Sequence, residues 1–318
     1  MKSSGTALET LWKEFSAFDP EGFVTRTKEG IRAAIAAKGY KGVVFGASGG
    51  IDSLVSAALC VQAKKDKREW RVVGLQMIDR RVKGETYNPE LFKRLGVELV
   101  IQDITPEARD TEKDLGMPPR WLTLILTKVA LFFLPRPTLR RLILGIKAGS
   151  APGQILRHFQ LLIYLHRIRI SRLREFADLH YLMPVICANL TEGSLGYFVE
   201  GGIDDPERGE FGPISGLYKT QVFATARYLG IPEKALIQKP SPGFGGIHDE
   251  DILGPYVIID HVLSGISAGF SDSEIAGGLR RSPYLTHPGV SLREKTKRPR
   301  HYIGFLRSLM EVSLQKKN

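Results

Sequence analysis

Asp52 stands behind a run of small residues, Gly46-Ala47-Ser48-Gly49-Gly50, separated from it by Ile51 alone, and is followed by Ser53. An apolar stretch, Val43-Val44-Phe45, leads into the run, and helix-spaced apolar residues (Leu54, Val55, Ala58, Leu59) lead out of it. A strand feeding a glycine turn that opens a helix is an anion site, because backbone N–H groups converge there and the helix end adds partial positive charge. Ser48 and Ser53 can add hydroxyl donors. A carboxylate beside a bare phosphate would repel it, but the pairing works when a divalent cation sits between carboxylate and phosphate oxygens. Asp52 therefore points to a Mg–nucleotide.

Three other loops are excluded. Walker A requires a Lys before the final Ser or Thr, which GASGGIDS lacks, and the G-x-G-x-x-G spacing fails. Gly46 to Gly50 fits the hydrolase elbow G-x-S-x-G, yet an elbow needs a downstream Asp and His and would leave Asp52 unexplained.

The positioning elements follow from periodicity. Leu8, Leu11, Trp12 and Phe15, then Ile31, Ala34 and Ile35, fall at helical spacing within residues 7–38. VVF, Arg71–Met77, Val97–Asp103 and Tyr181–Ala188 read as four strands separated by helical segments, one of them around Pro89–Leu95. This alternation predicts an α/β fold, a doubly wound parallel sheet of Rossmann-like type with added helices. Lys219–Gly230 reads as a helix with Gly230 as its stop, and Ser271 and Glu274 stand at capping-box spacing. Lys239–Asp251 is a Pro/Gly-rich loop ending in acids.

SGGIDS (Ser48–Ser53) after an apolar strand resembles the pyrophosphate-binding loop of the N-type ATP pyrophosphatases, the adenine nucleotide alpha hydrolase-like superfamily. NLTEGSLGYF (Asn189–Phe198), GPISGLYKTQV (Gly212–Val222), SRLRE (Ser171–Glu175), HDEDILGPY (His248–Tyr256) and KTKRP (Lys295–Pro299) narrow the resemblance to ammonia-dependent NAD synthetases. It implies one such domain over residues 1–318, with Mg2+ held by Asp52 and Glu192 and with Asp52 and Lys219 as catalytic groups. It implies ATP contacts from Gly46 to Ser53 and from Met77, Arg174, Cys187, Lys219 and Ser241. Arg172, Glu200, Asp204, Asp205 and Lys297 would face the second substrate. The implied reaction adenylates nicotinic acid adenine dinucleotide with ATP and transfers ammonia to it. The implied assembly is a homodimer.

Physical chemistry supports these roles independently. Asp52 and Glu192 each follow a strand, so both fall at the carboxyl edge of the sheet, where open α/β folds bind ligands. Lys219, Arg172 and Arg174 can neutralise charge as pyrophosphate leaves. The departures from the family pattern all lie on the recognition side. Cys187 stands where Thr is usual, Val199-Glu200 where Thr-Lys is usual, and Ser241-Pro242 follows Lys239-Pro240. A relative that adenylates a different carboxylate, or a nucleotide-binding protein without turnover, would share the same loop.

The formal charge of +11 is local. From Leu115 to Arg174 there are eleven Lys and Arg and no acid, leaving 34 of each sign in the rest of the chain. A basic, apolar insert at about 115–170 carries the excess, and Pro135, Pro137, Gly149, Pro152 and Gly153 predict that it is broken into short helices. A dimer-forming layer is the expected role, ahead of a face for an acidic partner or anionic membrane. Sparse aromatic interleaving argues against nucleic acid.

The start lacks an apolar signal core, Trp121–Leu134 is short of the ~20 residues a span needs, and two cysteines suit a reducing compartment. A cytoplasmic location is expected. With the loop beginning by residue 46, no glutaminase domain is expected ahead of it, and ammonia is expected free or from a separate partner. The seven histidines show no ligand spacing.

Overall fold

Val72, Val73, Leu75 and Met77 are all buried, along both faces of one strand, because that strand is covered on both sides. The computed structural model describes residues 4–81, 88–117, 122, 136–237, 250, 253–281 and 299–315. Helices α1 (Ser4–Ser16) and α2 (Pro20–Lys38) precede β1 (Gly42–Gly46), α3 (Ile51–Lys64) and β2 (Arg71–Ile78). Then come α4 (Pro89–Leu95), β3 (Glu98–Asp103), α5 (Thr105–Asp114), α6 (Arg136–Lys147) and α7 (Gly153–His180). Strand β4 (Met183–Val185) leads to α8 (Leu190–Leu195), a 3-10 turn (Pro206–Arg208), α9 (Lys219–Tyr228) and α10 (Glu233–Ile237). Helices α11 (Tyr256–Ser267), α12 (Asp272–Arg281) and α13 (Pro299–Gln315) follow.

The four strands are all parallel, in the order β3-β2-β1-β4. The chain leaves β1 on one side and returns to its other side at β4, so the switch point lies between those two strands. Ligands of open parallel sheets bind in the crevice such a reversal opens.

Alternation along the strands sorts the core. Val43, Phe45 and Val72 face Ile31, Ile35, Leu54, Leu59 and Val222 of α2, α3 and α9. Val44, Val73 and Leu75 face Ile104 and, on α7, Ile170, Leu173 and Ala177. Each fully buried side chain such as Leu54 or Leu59 contributes roughly 1.5–3 kcal/mol. A further core lies beside the sheet, where Leu8 and Trp12 of α1 meet Ile259, Val262, Ile275 and Leu306.

Two expectations change. The fourth strand is shorter than Tyr181–Ala188: Tyr181 is left-handed (φ 53°), and Pro184 has no N–H to extend the ladder. The second half of the insert is not short helices. Beyond Gly153 no Gly or Pro interrupts the chain until Pro184, and a single 28-residue helix, α7, runs through Ser171–Glu175. Pro137 lies within the first turn of α6, where a missing N–H costs nothing. The Ser271–Glu274 capping box forms, with Glu274 N donating to Ser271 Oγ at 3.3 Å and Ser271 N to Glu274 Oε2 at 2.8 Å.

Candidate active site

Strand β1 delivers the glycine loop, and β2 holds it down through Ala47 N donating to Leu75 O at 2.9 Å. Gly49 adopts φ +85°, a left-handed conformation that only glycine takes without strain. The Ser48 hydroxyl donates to Ser53 Oγ (3.2 Å) and accepts from Gly50 N (3.3 Å), while Ser53 Oγ donates to Gly50 O (2.8 Å). Gly50 caps α3 with backbone alone, so no side chain covers the first-turn N–H groups. Asn88, itself left-handed, donates its Nδ2 to Gly49 O at 2.9 Å and braces the outside of the loop.

Across the switch point, α8 and α9 bring the rest. Lys219 is fully buried, and its Nζ donates to Asp52 Oδ2 and, at 3.3 Å, to Glu192 Oε1. A buried ammonium persists only when it is paired, and here two carboxylates pair it. The Tyr256 ring, centred 5.5 Å from Nζ, adds a cation–π contact. Asn189 caps α8 by accepting from Glu192 N at 3.0 Å, and its Nδ2 donates to Asp52 Oδ1 at 3.0 Å. One amide thus ties the Asp52 carboxylate to the start of the helix that carries Glu192.

The donor set suits Mg2+. Asp52 and Glu192 are both partly open to solvent, offer only hard oxygens, and converge on a single cationic centre at the mouth of the loop. One or two carboxylates completed by substrate phosphates is the usual arrangement for that ion.

The other residues singled out from the sequence are placed less centrally. Met77 is buried in β2, and Cys187 lies just past β4. Burial pushes the Cys187 thiol up to about 12, and raises Cys60 as well. Both therefore remain thiols, whereas a nucleophilic cysteine would need to be thiolate. Arg172 donates to Glu107 of α5 at 2.6 Å, and Arg174 donates to Arg208 O at 2.9 Å.

Glu200 is exposed. Asp204 accepts from Val199 N at 3.2 Å and meets His166 Nδ1 of α7 at 3.0 Å. Asp205 accepts from Gly201 N (2.7 Å) and Glu207 N (3.0 Å). Both aspartates thus hold their own loop closed, and Ile203 of that loop lies over Gly46, where an added Cβ would come within 2.7 Å of its Cδ1. Ser241 and Lys297 lie outside the described residues, as does the loop from Lys239 to 249.

Asn88, Asn189, Thr191 and Asp260 were not singled out as site residues. For Asn189 the signal was present, since N-x-x-E is a capping box that sets the start of α8. An acid within Val257–Leu263, an otherwise apolar run apart from His261, was the signal for Asp260.

A family model described as NAD synthase matches residues 23–119 and 164–300, passing over 120–163. The NH(3)-dependent NAD(+) synthetase of Thermotoga neapolitana is 33% identical over 261 residues, covering 76% of this chain and 84% of that protein. The protein of the same name from Methanosarcina mazei is 31% identical over 270 residues, covering 79% and 84%. Among solved structures, an NH3-dependent NAD synthetase from Campylobacter jejuni superimposes with a TM-score of 0.62 at 20% identity, over 95% of this chain and 97% of that one. An NMN synthetase from Francisella tularensis gives 0.56, also at 20% identity, over 86% and 98%. These two share the fold. The matched segments include the glycine loop and the helices carrying Glu192 and Lys219, and the chain belongs to the NAD synthase family.

Proposed function

We propose that this chain is an ATP-dependent ligase that adenylates nicotinic acid adenine dinucleotide and aminates it to NAD, releasing AMP and pyrophosphate. The observation that carries the reading is the Asp52–Lys219–Glu192 cluster at the mouth of the glycine loop. A carboxylate oxygen of the substrate attacks the α-phosphorus of ATP, and the bond to the β-phosphate oxygen breaks. The loop amides and the Lys219 ammonium face the charge that gathers on departing pyrophosphate, which is stabilisation of the transition state without a covalent enzyme intermediate. Ammonia then adds to the acyl carbon, AMP departs with the C–O electron pair, and the surplus proton passes to solvent. Mg2+, when bound, would be held by Asp52 and Glu192 with phosphate oxygens and would supply neutralising charge.

The curated relatives are named for ammonia, and this chain is proposed to take ammonia directly. A different acceptor carboxylate is favoured by one observation, the exposed Glu200 where the family resemblance expects Lys. The test is AMP and pyrophosphate release by the purified chain with ATP, Mg2+ and ammonium. The acids compared are nicotinic acid adenine dinucleotide, its mononucleotide and simple carboxylic acids, with glutamine replacing ammonium in a parallel arm. The dinucleotide with ammonium is expected to turn over fastest, and Asp52→Ala to fall to background. Turnover of another acid alone would replace the substrate, and release with none would remove the ligase reading.

The remaining assignments share this status. The chain is proposed to be one ATP-pyrophosphatase domain carrying the insert at about 115–170, with that insert forming a homodimer layer. A single monomer boundary in sedimentation at micromolar concentration would remove the dimer. No helix among the described residues is long and apolar enough to cross a membrane. A cytoplasmic location is proposed, and recovery of the native protein in a membrane or secreted fraction would contradict it.

A further inference from the structure

Lys219 begins α9, and the first backbone N–H groups of a helix have no partner within it. The preceding residue, Tyr218, supplies no side-chain cap. The first two N–H groups are instead satisfied from elsewhere in the chain. Lys219 N donates to Thr191 Oγ1 at 2.9 Å, and Thr220 N donates to Asp260 Oδ2 at 2.8 Å. The Thr191 hydroxyl in turn donates to Asp260 Oδ1 at 2.6 Å. Asp260 is fully buried on α11, which also carries the Tyr256 ring that faces Lys219 Nζ. Thr191 immediately precedes Glu192 on α8.

We propose that Asp260 is a positioning residue for the ligase site, its two carboxylate oxygens locking the Glu192 helix and the start of the Lys219 helix into one unit. One oxygen takes α8 through Thr191 and the other takes α9 through its second amide. The Thr191 hydroxyl closes the ring by donating to Asp260 while accepting from Lys219 N. A carboxylate at a helix N-terminus is favoured by the helix dipole, and this one comes from a third helix. Because α8 has only six residues, it has little rigidity of its own. Asp260 thereby acts through Thr191 and the α9 backbone, without touching ATP or the acceptor.

The inference rests on the ligase reading for its kinetic arm and on the fold alone for its exchange arm. The full chain is compared with Asp260→Asn, Thr191→Val, Thr191→Ser and the double variant Asp260→Asn/Thr191→Val. Hydrogen exchange at the Lys219 and Thr220 amides should quicken in Asp260→Asn and Thr191→Val, while exchange in the β1–β2 strands stays unchanged. In turnover, kcat should fall at least about tenfold with KM for ATP nearly constant, the loss usual when a group behind the contacting residues is removed. Thr191→Ser, which keeps the hydroxyl, should restore kcat.

The double variant should be no slower than the worse single one, since both cut the same ring. Unchanged exchange at the two amides would overturn the proposal even if no acid turns over. So would a kcat loss equal in Thr191→Ser and Thr191→Val, or multiplicative losses in the double variant. Absence of turnover by the wild-type chain would count against the ligase reading alone, leaving exchange to decide this one. Should Asp260→Asn fail to fold, Thr191→Val against Thr191→Ser decides by the same measurements.

Discussion

Lys219 carries its charge in a fully enclosed position, and its environment is built around that charge. Lys219→Met would leave Asp52 and Glu192 facing each other without a cation. The expected cost is about 3 kcal/mol, the low end for stranding a buried charge, because both carboxylates retain some contact with water. Mg2+ should return part of that loss. Thermal denaturation with and without Mg2+ checks this, and a larger rise in Tm for the variant than for wild type is the expected result. At this scale the sequence was informative where a residue type answered a chemical need. An acid behind a glycine loop demands a cation, which made Asp52 legible. The Asn189 amide was legible only as a cap, because its second bond reaches a carboxylate 137 residues away. Asp260 was missed because the reading followed motifs, and a single acid within an apolar helix belongs to none.

The strands hold the loop by close packing as much as by hydrogen bonds. Gly74 in β2 lies directly behind the loop, and an added Cβ would stand 2.9 Å from Ala47 Cβ and 3.1 Å from Leu99 Cδ2. Gly74→Ala is therefore expected to cost about 1–3 kcal/mol as overpacking and to weaken ATP binding by displacing Ala47. Urea unfolding and an ATP titration would check both effects, and an unchanged ATP affinity would show that the loop absorbs the methyl. Nothing in RVVGLQM distinguished this glycine from a neutral one, since the contact joins separate strands. The insert taught a related lesson. Gly149 and Pro152 do separate α6 from α7, but residues 154–180 contain neither Gly nor Pro. The end of the insert and the Ser171–Glu175 motif share one continuous helix, so His166 reaches Asp204 from the same rod that carries Arg172 and Arg174.

Among the described residues, α11 carries two neighbouring buried groups that burial shifts near neutrality, Asp260 upward and His261 downward. Burial pushes Asp260 up to about 6, with the Thr191 and Thr220 hydrogen bonds and the Lys219 charge opposing it. Between the ordinary carboxylate value and about 6 the folded chain holds a proton that the unfolded chain releases. Stability from this group therefore falls as pH rises through that window and is regained on acidification. Other carboxylates act in the opposite sense, so the test is a difference. The stability of wild type relative to Asp260→Asn should shift toward wild type between about pH 7 and pH 5. Thermal melts at both values measure it, and no shift would mean that Asp260 titrates normally.

The strand order has a consequence for how the chain folds. β1, β2 and β3 pair in sequence, but β4 joins β1 only after more than 100 intervening residues have been made. Closing so long a loop is slow, and its entropy is lost before any contact repays it. Asp52 meets Lys219 and Glu192 only across that last junction, so a chain halted before β4 has a glycine loop and no means of neutralising what it would hold. Capture of Mg–ATP should then mark the final step of folding, and a refolding chain should gain nucleotide affinity after it gains most of its helix.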